Sequence, residues 1–341
     1  LQILPLTNFH LIFSDSIKLD TPKSFILNGK KNNEVIKYIK IKMKPPPYFN
    51  RDYDEDIKLG FQIIGIDSTF YESIQINGNL SRSYTQERYK TNYKDFDFIE
   101  ENLKTGEILF KKGDYNIDKH IIFPENKKVF ISSGTKLDFL DNSYLFSQSP
   151  IHIVGKDDMP VILLSSDSSG GGILIDRVNS LSYLENVNIS NFGEKQKDQR
   201  GLTGAITVYE SILEMKNCNF YNNQSEDALN IVRSRFNING CTFNNSANDA
   251  IDLDFSNGTI KKSYFLNSGN DGIDCSGSNV EIIEINISNA KDKGISAGEI
   301  TKLYGQKVEI NKTNIGLVSK DKSELTIDEL LISNSNIGLA V

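Results

Sequence analysis

Across its 341 residues the chain has no tryptophan and only three each of cysteine, histidine and methionine. Three cysteines do not make a disulfide framework. The histidines, His10, His120 and His152, lie outside the regular pattern described below, so a histidine-dependent mechanism is not expected. No apolar run reaches the roughly 18 residues of a membrane span, which excludes direct membrane insertion by a helix. Positive charge is not in excess either. Lys and Arg number 38 against 45 Asp and Glu, a net charge of −7, which disfavours nucleic acid as a partner. Leu1 is not an initiator methionine and no secretory leader opens the chain, so the sequence reads as a trimmed or processed piece. At 38% hydrophobic and 24% charged, the composition is that of a globular chain and not a disordered one.

What the chain has in abundance is asparagine, 36 residues, of which 20 fall after residue 200. Their spacing is informative. Asp227-Ala-Leu-Asn230, Asp249-Ala-Ile-Asp252 and Asp271-Gly-Ile-Asp274 begin 22 residues apart, and the step continues through Lys293, Ile315 and Ile337. Asn223, Asn245, Asn267, Asn289 and Asn311 keep the same step, as do Asn248, Asn270, Asp292, Asn314 and Asn336. A leucine-rich repeat of similar length needs a leucine framework and usually a helix, and neither is present. Each repeat holds two or three short alternating or β-branched runs separated by Asn, Ser, Gly and Asp. That pattern predicts one coil of a parallel β-helix.

Pleating then assigns the side chains. Leu229, Ile251, Ile273 and Ile295 point inward, and so do Ile231, Leu253, Cys275 and Ala297. Phe243 and Phe265 are expected to stack on another strand. The Asn rows read as ladders of side-chain amides at turns, and Cys218, Cys241 and Cys275 as small buried hydrophobes. Upstream coils begin at Gly204 and Gly172, with a polar insertion at Gly193–Gly201. The first coils are expected near Gly106–Tyr115 and Lys128–Phe139, with helix-like or irregular residues 96–103 capping the open end. Residues 1–95 lack the period. Their alternating runs Phe9–Phe13, Ser24–Leu27, Val35–Lys42 and Leu59–Ile66 predict a small β-sandwich-like domain and linker, ahead of a β-helix over 96–341.

From Thr105 onward the chain resembles right-handed parallel β-helix repeat proteins of the pectin-lyase-like superfamily. Gly204–Ser211, Ser225–Ser234, Gly269–Asp274, Lys293–Glu299 and Gly316–Ser323 resemble, more narrowly, a bacterial subgroup found in company with CotH-like surface proteins. The resemblance implies an exported or cell-surface bacterial protein.

Outward positions of the first strand carry the candidate chemistry. Asn230, Asp252, Asp274 and Ser296 form one row. Asp254 lies two places along, and Arg233, Glu299 and Lys320 flank it. Like charges stacked on a sheet are destabilising and need a compensator: a cation, a basic neighbour, or a raised carboxyl pKa. Asp252, Asp274 and Lys293 are accordingly the candidate catalytic residues. Asp254, Arg233, Glu299 and Lys320 are the candidate substrate contacts. Asp252, Asp254 and Asp274 are the candidate Ca²⁺ ligands. Asp227, Asp249 and Asp271 read as ordinary turn residues. The expected function is binding, with or without modification, of an acidic polysaccharide. If the protein is an enzyme, it is a polysaccharide lyase or glycoside hydrolase. The alternative is a non-catalytic structural or adhesion module.

Overall fold

The structure is a computed structural model that describes residues 90–193 and 203–341, together with six short strands before them. The chain divides into two compact units, Leu1–Thr85 and Gln86–Val341. In the first, Phe9–Phe13 pairs antiparallel with Ser24–Leu27 on one side and Ile57–Ile63 on the other, and Thr69–Ile74 completes a four-stranded sheet. Lys18–Leu19 and Met43–Lys44 form a separate two-stranded ladder. The expected strand at 35–42, most of the linker, and residues 194–202 of the polar insertion lie outside the described residues.

The second unit is a parallel β-solenoid of ten coils. One sheet takes a single strand from each coil, running from Ile121–Phe123 to Ile337–Ala340. A seventeen-stranded sheet forms the rest of the wall. Register follows the 22-residue step. Leu229 pairs with Ile251, Ile251 with Ile273, and Ile273 with Ile295, and all four are fully buried. Each such burial contributes about 1.5–3 kcal/mol. The aromatic column is present too. Phe220, Phe243 and Phe265 stack at 4.6 and 5.1 Å, and Ile287 and Ile310 continue it. In the later coils the wall strand is continuous, as in Asn257–Leu266, and bends at a left-handed residue such as Lys262 (φ 48°).

The ends of the strands are held by ladders. Asn245, Asn267 and Asn289 donate from Nδ2 to Asn222, Asn244 and Asn267 at 2.7–2.9 Å. A second ladder escapes notice in the sequence. The backbone N–H groups of Ser211, Ser234, Ser256, Ser278 and Thr301 each donate to the hydroxyl of the next coil at 2.9–3.1 Å. Its members are 22 or 23 residues apart, but serine is common in turns and the row does not stand out. Cys218, Cys241 and Cys275 are free and buried, and the Cys218 N–H donates to Cys241 Sγ at 3.4 Å.

The N-terminal cap differs from the expected helix-like segment. It is a 3-10 turn, Tyr93–Asp95, followed by Ile99–Asn102, which pairs antiparallel with Glu107–Phe110. Aromatic rings explain the choice. Tyr93, Phe98, Phe110 and Phe123 close the end of the core with centroids 5.6–6.0 Å apart, and a reversed strand delivers Phe98 and Ile99 to that layer while satisfying the edge.

Candidate functional site

The strands Asp227–Val232, Asp249–Asp254, Ile273–Ser276 and Lys293–Gly298 lie side by side, so the expected outward rows form. Asn230 stands opposite Asp252, Asp252 opposite Asp274, and Asp274 opposite Ser296. Val232, Asp254, Ser276 and Gly298 make the next row.

The face is less exposed than an outward row suggests. Asp252, Asp254 and Asp274 are only partly exposed, while Asn230 and Ser296 are 3% and 0% exposed. Adjacent strands are close enough that neighbouring side chains shield one another from water. The consequence is chemical. Burial, joined by the carboxylates of Asp227, Asp254 and Asp274, pushes Asp252 up to about 9. Burial and the charges of Glu299 and Asp274 push Asp254 up to about 6, against the pull of Arg233. Asp252 Oδ2 accepts one hydrogen bond, from Asn230 Nδ2 at 3.0 Å. Asp274 Oδ1 and Ser296 Oγ, opposite each other in register, are buried without a hydrogen-bond partner. Of the three compensators for stacked carboxylates, burial and the neighbouring charges favour protonation at Asp252.

The aspartates before the strand play a different part. Asp249 Oδ1 accepts the Asp271 N–H at 2.7 Å and Asn270 Nδ2 at 2.8 Å, and Asp271 Oδ1 accepts the Lys293 N–H at 2.9 Å. These two carboxylates fasten the start of one coil to the next, as turn residues do. Asp227 accepts from the Thr203 hydroxyl. Its burial drives it up to about 8, and Asp249 and Glu226 add to the shift.

Lys293 does not extend along the row towards Asp274. Its ammonium pairs with Asp271 at 3.3 Å and with Asp292. Burial works against its charge, but those two partners outweigh burial and hold its pKa above the ordinary range. Held in this way, Lys293 neutralises Asp271. Lys320 lies across the bare face of Gly298, where an added Cβ would come within 2.8 Å of Lys320 Cε. Arg233 and Glu299 are exposed and directly follow the strands, with left-handed backbones (φ 49° and 56°).

Among the described residues, no group of three or more His, Cys, Asp or Glu is arranged to hold a metal ion. Asp252, Asp254 and Asp274 share one face. Two open grooves lie elsewhere. One of about 500 Å³ is lined by Tyr264, Asn286, Glu309 and Leu331, and one of about 380 Å³ by Lys156, Asp157, Asn188 and Asn219. Neither includes a carboxyl of the row. Among the described residues, no helix is long and apolar enough to cross a membrane.

The architecture defines a parallel β-solenoid. No protein-family description matches the chain, and no curated protein matches its sequence. Among solved structures, a mutant of the periplasmic alginate epimerase AlgG is 12% identical, with a TM-score of 0.40, over 75% of this chain and 82% of that one. An alginate lyase from Paenibacillus is 12% identical, with a TM-score of 0.35, over 64% of this chain and 91% of that one. The enzymatically active domain of bacteriophage CBA120 tailspike protein 2 is 10% identical, with a TM-score of 0.37, over 63% of this chain. The chain spans only 39% of that domain's length. At these identities no site residue is carried over from any of them.

Proposed function

We propose that the protein binds an acidic polysaccharide along the outer face of the ten-stranded sheet, centred on Asp252, Asp254 and Asp274. The observation that supports this most is the in-register row of Asp252 and Asp274, with Asp254 two places along, on a regularly spaced face where burial favours the protonated form of Asp252. A protonated carboxyl is a hydrogen-bond donor. It meets a uronate carboxylate without the repulsion that an ionised Asp252 would exert. Coils repeat at about 4.8 Å, and the face therefore offers polar groups at regular intervals, which suits a repeating polymer.

A second reading, cleavage of the bound glycan, rests on the register pair Asp252–Asp274. Carboxyls on adjacent strands stand near the 5–5.5 Å or so that a retaining glycosidase uses, with the protonated partner as acid. Lys293 is ion-paired with Asp271 and Asp292 beside this row.

Both readings are tested by screening acidic and neutral polysaccharides for binding and for new reducing or unsaturated ends. The Asp252→Asn/Asp274→Asn variant should lose binding while keeping its circular dichroism and melting no lower than the wild type at pH 7. Binding unchanged in that variant sinks the site. Binding without new ends leaves a glycan-binding module and removes the catalytic reading.

A further inference from the structure

The corner where each coil leaves the ten-stranded sheet is built from left-handed residues in seven successive coils: Arg177, Glu210, Arg233, Phe255, Gly277, Glu299 and Asp321, with φ between 46° and 61°. Glycine and asparagine adopt this backbone most readily. Another corner of the solenoid follows that preference, with Asn222, Asn245, Asn267 and Asn289 in the same conformation. Here, in contrast, stand two of the three arginines among the described residues, and the one aromatic among their left-handed positions. A residue type that raises the conformational cost at a corner calls for another reason to be there.

The side chains are mutually supported. The Arg177 guanidinium lies over the Tyr209 ring, 5.6 Å from its centroid. The Arg233 guanidinium lies 5.9 Å from the centroid of Phe255 and donates from Nη1 to the Tyr209 hydroxyl at 3.0 Å. Phe255 in turn lies flat over Gly277, where an added Cβ would fall 2.5 Å from its ring. Glu210 stands between the two arginines but at 3.7 and 3.9 Å, too far for a good hydrogen bond to either. Arg177 Nε also stands 3.9 Å from Asp176, so neither fork has an acid within close hydrogen-bond distance, and the arginine side chains are 55% and 49% exposed. They are two coils apart, about 10 Å; Arg233 borders the strand of Asp254, and Arg177 lies three strands from it along the same edge.

We infer that Arg177 and Arg233, seated on Tyr209 and Phe255, form an anion-reading edge that grips carboxylates of a uronate-containing glycan lying along the acidic face. This rests on the polysaccharide-binding reading above and gives it a substrate class. The planar guanidinium matches a carboxylate bidentately, and an aromatic seat reduces the freedom it loses on binding. Asp252 and its neighbours contact the sugar hydroxyls and the polymer's inner edge, and the arginines read its charge.

The test is titration of the whole chain with oligogalacturonate, with the same oligomer after reduction of its carboxyls to alcohols, and with dextran sulfate. For the wild type, the reduced oligomer should bind about 10–100-fold more weakly than the uronate, the worth of one or two charge-assisted hydrogen bonds. Arg177→Gln/Arg233→Gln should weaken uronate binding by a similar factor and leave the reduced oligomer unaffected, and Lys at both positions should restore part of the loss. Both side chains are about half exposed, so the variants should fold, and an unchanged melting curve checks this. Equal binding of uronate and reduced oligomer overturns the inference and leaves glycan binding standing. Tighter binding of dextran sulfate than of uronate, lost in the double variant, overturns the carboxylate assignment in favour of sulfate esters. No binding of any glycan overturns both readings.

Discussion

Replacing Asp252 by Asn isolates the physics of the acidic face. The two side chains have nearly the same shape, and the Asn230 Nδ2 donor that now serves Asp252 at 3.0 Å finds an amide oxygen instead. What changes is the proton. In the unfolded chain Asp252 titrates near 3.9 or so, the ordinary value for aspartate. In the folded chain it titrates at about 9, because burial and the neighbouring carboxyls of Asp227, Asp254, Asp274 and Asp249 disfavour its charge. Between these values the native state holds the proton that the unfolded state releases. Stability from this group is fully present below about pH 4 and is lost as pH rises towards 9. At pH 7 the loss is about three pKa units' worth, on the order of 4 kcal/mol, and Asn avoids it because it carries no proton to release. Asp252→Asn should therefore leave stability almost unchanged at pH 4 and raise it by about 2–4 kcal/mol at pH 7, a gain of roughly 5–15 °C in melting temperature for a unit of this size. Thermal melts of wild type and variant at pH 4, 5.5, 7 and 8.5 measure this. A gain independent of pH would mean that packing, not protonation, was altered. A loss at pH 7 would mean that Asp252 is ionised in the native state and satisfied by a partner, and the protonated-donor reading would fall.

Three further outcomes follow from the same structure. Ile273→Asp places a charge in a fully buried column and should cost more than about 4 kcal/mol, seen as loss of soluble protein or of a cooperative melt; a wild-type melting temperature would refute the inward assignment. Lys293→Met strips Asp271 of its ion pair and should cost about 1–3 kcal/mol at pH 8. The loss should shrink by pH 5, because Asp271, already raised to about 6 by burial and Asp249, is then protonated; an equal loss at both pH values would show that Lys293 contributes packing alone. Melting temperature should be the same with Ca²⁺ as with chelator. A rise with Ca²⁺ that disappears in Asp252→Asn/Asp274→Asn would restore the cation as the compensator of the acidic row.

The contrast between Ile273 and Asp274 shows where reading a sequence succeeds and where it stops. The 22-residue step fixes which residues stack, because parallel in-register strands repeat the same wall at each coil. Ile251, Ile273 and Ile295 therefore fall in one column, and Asp252 and Asp274 in one row, from spacing alone. The turn role of Asp249 and Asp271 was legible for the same reason, since a residue at a strand entrance has few partners besides the next backbone N–H. The state of the row was not legible. Whether a stacked carboxyl is ionised depends on how much water its neighbours leave it and on which charges lie within a few ångströms. Those quantities belong to the assembled face: Asp252 is protonated while Lys293, on the neighbouring row, is taken up by Asp271 and Asp292. The corner of Arg177, Tyr209, Arg233 and Phe255 was invisible in the same way, apart from Arg233 itself. Its members are separated by 22 to 78 residues without a shared motif, and their association depends on a left-handed turn that projects successive side chains over one another. Periodic burial is encoded locally and repeated, so the sequence alone determined the solenoid and its columns. Desolvation and charge are sums over neighbours brought together by coiling, so only the tertiary structure decided which carboxyls keep their protons and which cations remain free to meet a ligand.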